Sequence, residues 1–526
     1  MFSPKSRSAI RLPLLSPRIA TVILCLVLAF AWYLCEVAAS PESLPDLPQT
    51  RPPSIAVVPL ANLTGDGALG WVGIGLQDRL SWEVQRLTGS RVLDFQELVQ
   101  QAKQLPAALA GLTPARLASL GSRLGVDVLI GGEYRETGQQ ISCTLFAFDT
   151  ARQTQIASRS FSGPLAQVVP QANQALLEIA QSLPIAFPPK GVQQPLRSGV
   201  PASSALAARA NGLGAVAESL LGGGIEPLKK ALGWFRQAVQ DDPTDGEAWH
   251  RLGEALVRSA EYDEGRQTLN RGLGVAQATG DRVLELVTLT MISESYLLQG
   301  RAPEAEPYFG QLLPLARQSG DWVRQIAALH GYASVFHLRG ETDRSKEYLE
   351  RALALARATG SRGAEAKLLN HLGVLRISLG EYAVARQYLG EAVTLAQAIG
   401  DRNTERMGLN NLAVIAIRQG AYREARGMLE KVLQITRTLG DRRGEALSLK
   451  NIGQVEALRG AYATAFPILE EALSLTRTVG VPLIEFETLQ VIGSAHFALG
   501  GYPGRRPHTR RGWDWRAPTR SPGSRG

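Results

Sequence analysis

Six histidines are the first place to look for chemistry in this 526-residue chain. His330 and His337 lie seven residues apart, so they share one face of a helix, and His371 follows. Gathered imidazoles can bind a metal. Here no carboxylate or cysteine accompanies them at ligand spacing, and HExxH is absent. Cys25, Cys35 and Cys143 form neither a disulfide framework nor a zinc pattern. Asp241-Asp242 precedes Pro243 and reads as a loop pair, not as an acid/base couple. GxxxxGK[ST], GxSxG and GxGxxG do not occur, and Gly222-Gly223-Gly224 follows no strand. The expectation is a non-enzyme with no catalytic residue, no metal and no cofactor.

What remains is binding chemistry. His330, Asn370, His371, Asn410, Asn411, Lys450 and Asn451 recur in step along the chain. They are polar, neutral or basic, and suited to hydrogen bonding. They can serve as contact points for a partner or as solvated residues on a helix face. Val374, Ile377, Val414 and Ile417 lie close to them. These make the same surface partly apolar, or pack between units.

The elements that must position these residues come from an internal repeat. Glycines recur at Gly280, Gly320, Gly360, Gly400, Gly440 and Gly480, and again at Gly300, Gly340, Gly380, Gly420, Gly460 and Gly500. Each series has a period of 40, so the chain turns every 20 residues. That predicts helix, turn, helix, turn, with glycine where each helix ends. Leu289, Leu329, Leu369, Leu409, Leu449 and Leu489 repeat, with Trp249 in the same slot. Four residues later stands a small residue: Gly253, Ser293, Ala333, Gly373, Ala413, Gly453 and Gly493. It lets paired helices approach closely. A hairpin cannot bury its apolar face alone, so the units must stack. The positions His250, Thr290, His330, Asn370, Asn410, Lys450 and Gln490 then fall on the inner face of the first helices.

The pattern of Trp249, Leu252 and Gly253, preceded by Ala231, Phe235, Ala238 and Pro243, resembles the tetratricopeptide repeat (TPR). The 40-residue form is similar to the repeats of kinesin light chain and LGN-type scaffolds, most closely in LNNLAVIAIRQGAYREARGMLEKVL at 409–433. The resemblance implies a right-handed α-solenoid that takes protein or peptide ligands in its groove. It also implies that asparagine amides hold the ligand main chain. That role falls directly on Asn411 and Asn451, and by extension on Asn370 and Asn410, whereas His371 departs from the pattern. Seven units are expected over 212–485, then a lone helix at 486–499.

Residues 54–187 read differently. Ser54–Leu60 and Arg91–Phe95 are short apolar runs, and 72–87, 114–124 and 165–183 have helical spacing. Val126–Tyr134, Gln140–Phe148 and Gln153–Phe161 predict an antiparallel meander turning at Gly138 and at 149–152. SIAVVPLANLTGDGALGWVGIGLQDRL followed by RLGVDVLIGGEYRETGQQISCTLFAFDTARQTQIASRSF resembles the TolB amino-terminal-like domain. That resemblance implies an extracytoplasmic α/β interaction domain, of the kind found in bacterial membrane adenylate cyclases and kinases. No cyclase or kinase half accompanies it.

The net charge of +8 sits at the two ends. Lys5, Arg7, Arg11 and Arg18 precede an uncharged run at 19–35, and seven arginines stand in 501–526. The rest is near neutral, so no nucleic acid is expected. The basic segment 1–18 and the apolar span 19–39 read as a single-pass inner-membrane anchor. Its amino terminus would be cytoplasmic and the bulk periplasmic. Val37-Ala38-Ala39 leaves a cleaved signal peptide open. Segments 40–53 and 188–204 read as linkers, and the TPR array as 205–500. Residues 501–526 read as a disordered basic tail or as a shifted reading frame. The expected whole is a mainly α chain: one membrane helix, a small α/β domain and a TPR solenoid, acting as a tethered scaffold. The alternative is an orphan sensory module of a cyclase- or kinase-type system. Oligomeric state is not legible.

Overall fold

The computed structural model describes residues 51–64, 70–88, 91–93, 95–101, 114–183, 203–220 and 225–499. The span expected to cross a membrane, both basic ends and Gly222-Gly223-Gly224 lie outside the described residues. Among the described residues no helix is long and apolar enough to cross a membrane.

The first part is α/β. Strands β1 (Ser54–Val57), β2 (Ala61–Asn62), β3 (Arg91–Val92), β4 (Val128–Thr137), β5 (Gln140–Asp149) and β6 (Thr154–Gly163) form one sheet. Its order is β3-β1-β4-β5-β6, with β2 also on β4. β1 and β2 both run parallel to β4, with Ile55 beside Val128 and Ala61 beside Glu133. Pro59, which has no N–H to give, stands between them. β4, β5 and β6 are the expected antiparallel meander. Helices α1 (Gly70–Thr88) and α4 (Leu165–Ala180) cover the face that carries Ile141, Cys143 and Leu145. Phe148 packs on the other face with Leu117 and Leu124 of α3 (Pro114–Leu124). Both faces are covered at that end of β5, which is why its alternation fades. The strand expected at Arg91–Phe95 is shorter. Only Arg91–Val92 pairs, and Phe95 opens α2 (Phe95–Gln101).

Seven helical hairpins follow. They are α5 (Ser203–Glu218) with α6 (Ile225–Asp241), α7 (Gly246–Arg258) with α8 (Tyr262–Thr279), and α9 (Arg282–Leu298) with α10 (Ala302–Gln318). Next come α11 (Trp322–Leu338) with α12 (Thr342–Ala358), and α13 (Arg362–Ser378) with α14 (Tyr382–Ile399). Then α15 (Arg402–Arg418) pairs with α16 (Tyr422–Leu439) and α17 (Arg442–Leu458) with α18 (Tyr462–Val479), before a single α19 (Pro482–Ala498). The first helix starts earlier than expected, and the lone last helix starts four residues sooner.

Local chemistry explains the period. Gly280 through Gly480 all adopt left-handed φ, between 65° and 78°, which ends each helix without a side-chain clash. Asp281, Asp321, Asp401 and Asp441 cap the next helix by accepting from the N–H three residues on, at 2.7–3.1 Å. Within hairpins, a Cβ placed on Gly253, Gly373 or Gly453 would lie 2.5, 2.5 or 2.6 Å from Leu269, Leu389 or Leu469. The small residue is therefore a seat for a leucine of the second helix. Leu289, Leu329, Leu369, Leu409 and Leu449 are buried, but Leu489 is 41% exposed. The apolar row stops at α19 because no second helix pairs with it among the described residues.

Candidate functional site

The polar residues singled out above lie on the first helices, and they reach one another. Three pairs join residues 41 positions apart in successive repeats, and Lys450 reaches 37 positions on. Asn411 Nδ2 donates to Asn370 Oδ1 at 3.0 Å, and Asn451 Nδ2 donates to Asn410 Oδ1 at 3.3 Å. His330 and His371 keep the same offset. Their rings stack 4.4 Å apart with planes 8° from parallel, and Nε2 of His330 faces Nδ1 of His371 within hydrogen-bond reach. Lys450 Nζ donates to Glu487 Oε2 at 2.9 Å. The row thus stitches repeats together. Asn370 is only 1% exposed, and its Nδ2 has no acceptor. The others are partly exposed. Each amide pair uses one donor and one acceptor, so Asn411 and Asn451 have hydrogen-bonding capacity beyond the ladder.

Beside the histidine stack opens a cavity of about 430 Å³, lined by Glu294, Leu297, Leu298, His330, Ser334, His337, Leu338, His371 and Val374 among others. His330, His337 and His371 meet here. The pKa of His330 is pulled down to about 3 by burial, then by His371 and Lys367. That of His371 is pulled down to about 4 by burial, then by Lys367 and His337. Both are neutral near pH 7 and can donate and accept. Among the described residues no group of three or more metal-ligating side chains is placed to hold an ion. A smaller recess of about 110 Å³ lies at Arg406, Asn410, Asn411 and Leu447.

At the amino-terminal end the face is covered. Trp82 of α1 meets the His250 ring edge-on at 5.9 Å, and His250 is 2% exposed. His250 was expected on the inner face with the others, but it bonds to Thr288 Oγ1 instead. Around it runs a charge network that reading by pattern missed. Arg209 binds Asp78 at 2.9 Å, Asp245 at 2.7 Å and Glu247 at 2.9 Å. Arg86 binds Glu247 at 2.8 Å and Asp281 at 2.6 Å, and Arg251 binds Asp78 at 2.8 Å. All these side chains are at most 10% exposed. Burial alone would lower the Arg209 pKa, but Asp245, Asp78 and Glu247 raise it further, so the cation persists. Phe95 and Val99 of α2 add apolar contact with α5 and α6.

The tetratricopeptide repeat family matches at residues 245–318, 324–398 and 405–478. Similar solved structures include a signal transduction ATPase with a tetratricopeptide repeat sensor from Pyrococcus horikoshii. It has 14% identity and a TM-score of 0.39, over 58% of this chain and 50% of that one. This chain thus spans half that protein's length. Others are a Rap protein complexed with competence and sporulation factor and the quorum sensor NprR of B. thuringiensis. The first has 12% identity and a TM-score of 0.42, over 64% of this chain and 94% of that one. The second has 13% identity and a TM-score of 0.41, over 58% and 82%. Comparison with curated proteins returns no match. The helical array of this chain is built of tetratricopeptide repeats.

Proposed function

We propose that the array binds a segment of another polypeptide along its first helices, with the histidine-lined cavity as the main anchor point. The observation that carries this is the cavity itself. It combines apolar walls from Leu297, Leu298, Leu338 and Val374 with neutral imidazoles and one carboxylate, Glu294. Sites of this size and mixture suit a bulky side chain with a polar edge. The partly exposed amides of Asn411 and Asn451 continue the same face and suit a ligand main chain. Because α1 covers the first rungs, the usable face begins near α9.

The wider reading is a non-enzymatic scaffold tethered to the inner membrane by residues 19–39, with its folded part in the periplasm. The TolB-like resemblance of residues 54–187 supports that placement. The buried charge junction between this domain and the array favours a second role, in which the chain relays ligand occupancy as a sensory module. Capture of partners from native membranes tests the groove. Ser334→Trp fills the cavity, and Asn411→Ala with Asn451→Ala strips the amides. Both should lose partners that the unaltered chain recovers, and equal recovery would remove the reading. Protease digestion of intact and opened spheroplasts tests the location.

A further inference from the structure

Trp82 shows, within the chain, what the polar row can hold. It is buried, and it packs on Val283 and Leu284 of α9. Its indole meets His250 edge to face, with centroids 5.9 Å apart and planes at 87°. The Arg251 guanidinium lies 5.6 Å from the centroid of the same ring. His250 and Arg251 fill two neighbouring slots of the repeat. Two periods on, the first slot holds His330, and three periods on, the second holds His371. These two imidazoles stack on each other and wall the cavity of about 430 Å³. Phe309 lines it too, seated against bare backbone, since a Cβ on Gly331 would lie 2.1 Å from that ring. Glu294 and His337 are exposed members of the lining and can accept a hydrogen bond from the edge of a ring.

We infer that the cavity takes one aromatic side chain, tryptophan or tyrosine, from a segment of another protein, and that His330 and His371 receive its ring as His250 receives Trp82. The inference rests on the cavity being the binding point and adds what fills it. An aliphatic side chain would meet the same apolar walls, but it would forgo the ring contacts and the acceptor beside them. Charged anchors fit less well. Lys367 already acts on both imidazoles, so a lysine or arginine would bring a second cation to the site. A carboxylate would face Glu294 between apolar walls. An indole or a phenol carries no charge, and its single donor suits the acceptors present.

Random peptides displayed on phage and selected on the full chain in detergent supply the probe. Enriched sequences should share one tryptophan or tyrosine position, and Ser334→Trp, which fills the cavity, should abolish the selection. A fluorescein-labelled copy of an enriched peptide then enters a double-mutant cycle read by anisotropy. Exchanging its aromatic residue for leucine should weaken binding to the unaltered chain. Against the chain with His330→Gln and His371→Gln, the same exchange should cost about two- to tenfold less, the worth of an aromatic pair. An equal cost on both chains would overturn the inference and leave the cavity as a binding point. So would enriched peptides with no common aromatic position. Selection that Ser334→Trp leaves unchanged, or no selection at all, would remove the cavity reading and this inference with it. Residues 501–526 include Trp513 and Trp515. If their deletion tightens peptide binding, the chain fills its own cavity and the assignment to another protein is overturned, whereas unchanged affinity supports it. Circular dichroism of each variant confirms that helix content is kept.

Discussion

The two ends of the array are joined by opposite means. At the amino-terminal junction, α1 meets α5, α7 and α9 through arginines and carboxylates with almost no exposure. Within the later hairpins the helices meet through leucines on small residues, and several of the ion pairs between repeats lie partly in solvent. Arg437 and Glu471, for example, are each about half exposed. A leucine seam is tolerant, because any neighbour of similar shape will do. A buried charge seam is selective, because every cation needs its own anion and an unpaired one is costly. The array can therefore extend by copying one unit, but it accepts this particular α/β domain in one pose.

Breaking the junction should give the largest effect. Arg209→Met leaves Asp78, Asp245 and Glu247 without their shared cation. Removing one partner of a buried pair costs about 3–5 kcal/mol. Hydrogen exchange should show α1, α5 and α7 losing protection while α15 to α18 keep theirs. Uniform loss along the whole chain would mean that junction and array unfold as one unit.

The seam inside each hairpin should be less sensitive. Gly373→Ala forces a Cβ towards Leu389 Cγ, and overpacking of this kind costs about 1–3 kcal/mol. Gly493→Ala, at the equivalent position with open space around it, should cost nothing and gain up to about 1 kcal/mol of helix propensity. Thermal unfolding of the two variants side by side measures the difference. Equal effects would show that the leucine seat is not what demands a small residue.

The contrast also explains what pattern reading reached. The 40-residue period, the glycines that end each helix and the small residue between paired helices are all local or periodic, so spacing exposes them. The meander was legible for the same reason. The charge network was not, because Arg79, Glu83 and Arg86 on α1 have the spacing of a solvated helix face. One signal was available. Arg251 stands where later repeats carry Met291, Gly331, His371, Asn411 and Asn451, a departure that marks a position facing something other than the next repeat. The polar ladder was found as a set of residues. Its mutual bonding depends on the offset between stacked repeats, which no single unit contains.

Acid should separate the two regions a second way. Burial lowers the pKa of His250 to about 4, with Arg251 and Arg324 adding to it, and His330 and His371 are lowered to about 3 and 4. In the unfolded chain each takes a proton below about pH 6.5. The unfolded state then binds more protons, so stability is complete above that pH and falls as pH drops towards the folded values. The loss is about 1.4 kcal/mol per pH unit for each imidazole. His330→Gln with His371→Gln should remove the groove's share and leave only that of His250. A melting temperature that still falls as steeply between neutral pH and pH 5 would assign the acid sensitivity elsewhere.

The smallest effect decides what the asparagine ladder is for. Asn411→Ala deprives the buried Asn370 Oδ1 of its donor, and an unmet buried polar group costs about 1–3 kcal/mol, here near the lower end because Asn411 itself is partly exposed. Replacing both Asn370 and Asn411 with leucine removes donor and acceptor together. If the ladder exists only to join repeats, the double variant should recover most of the stability that Asn411→Ala loses, since a matched apolar pair can replace a matched polar one. If it also serves a ligand, the same variant should be stable yet recover no partner from membranes. A double variant that is both stable and fully competent in capture would confine the ladder to holding repeats in register. The binding reading would then rest on the cavity at His330 and His371 alone.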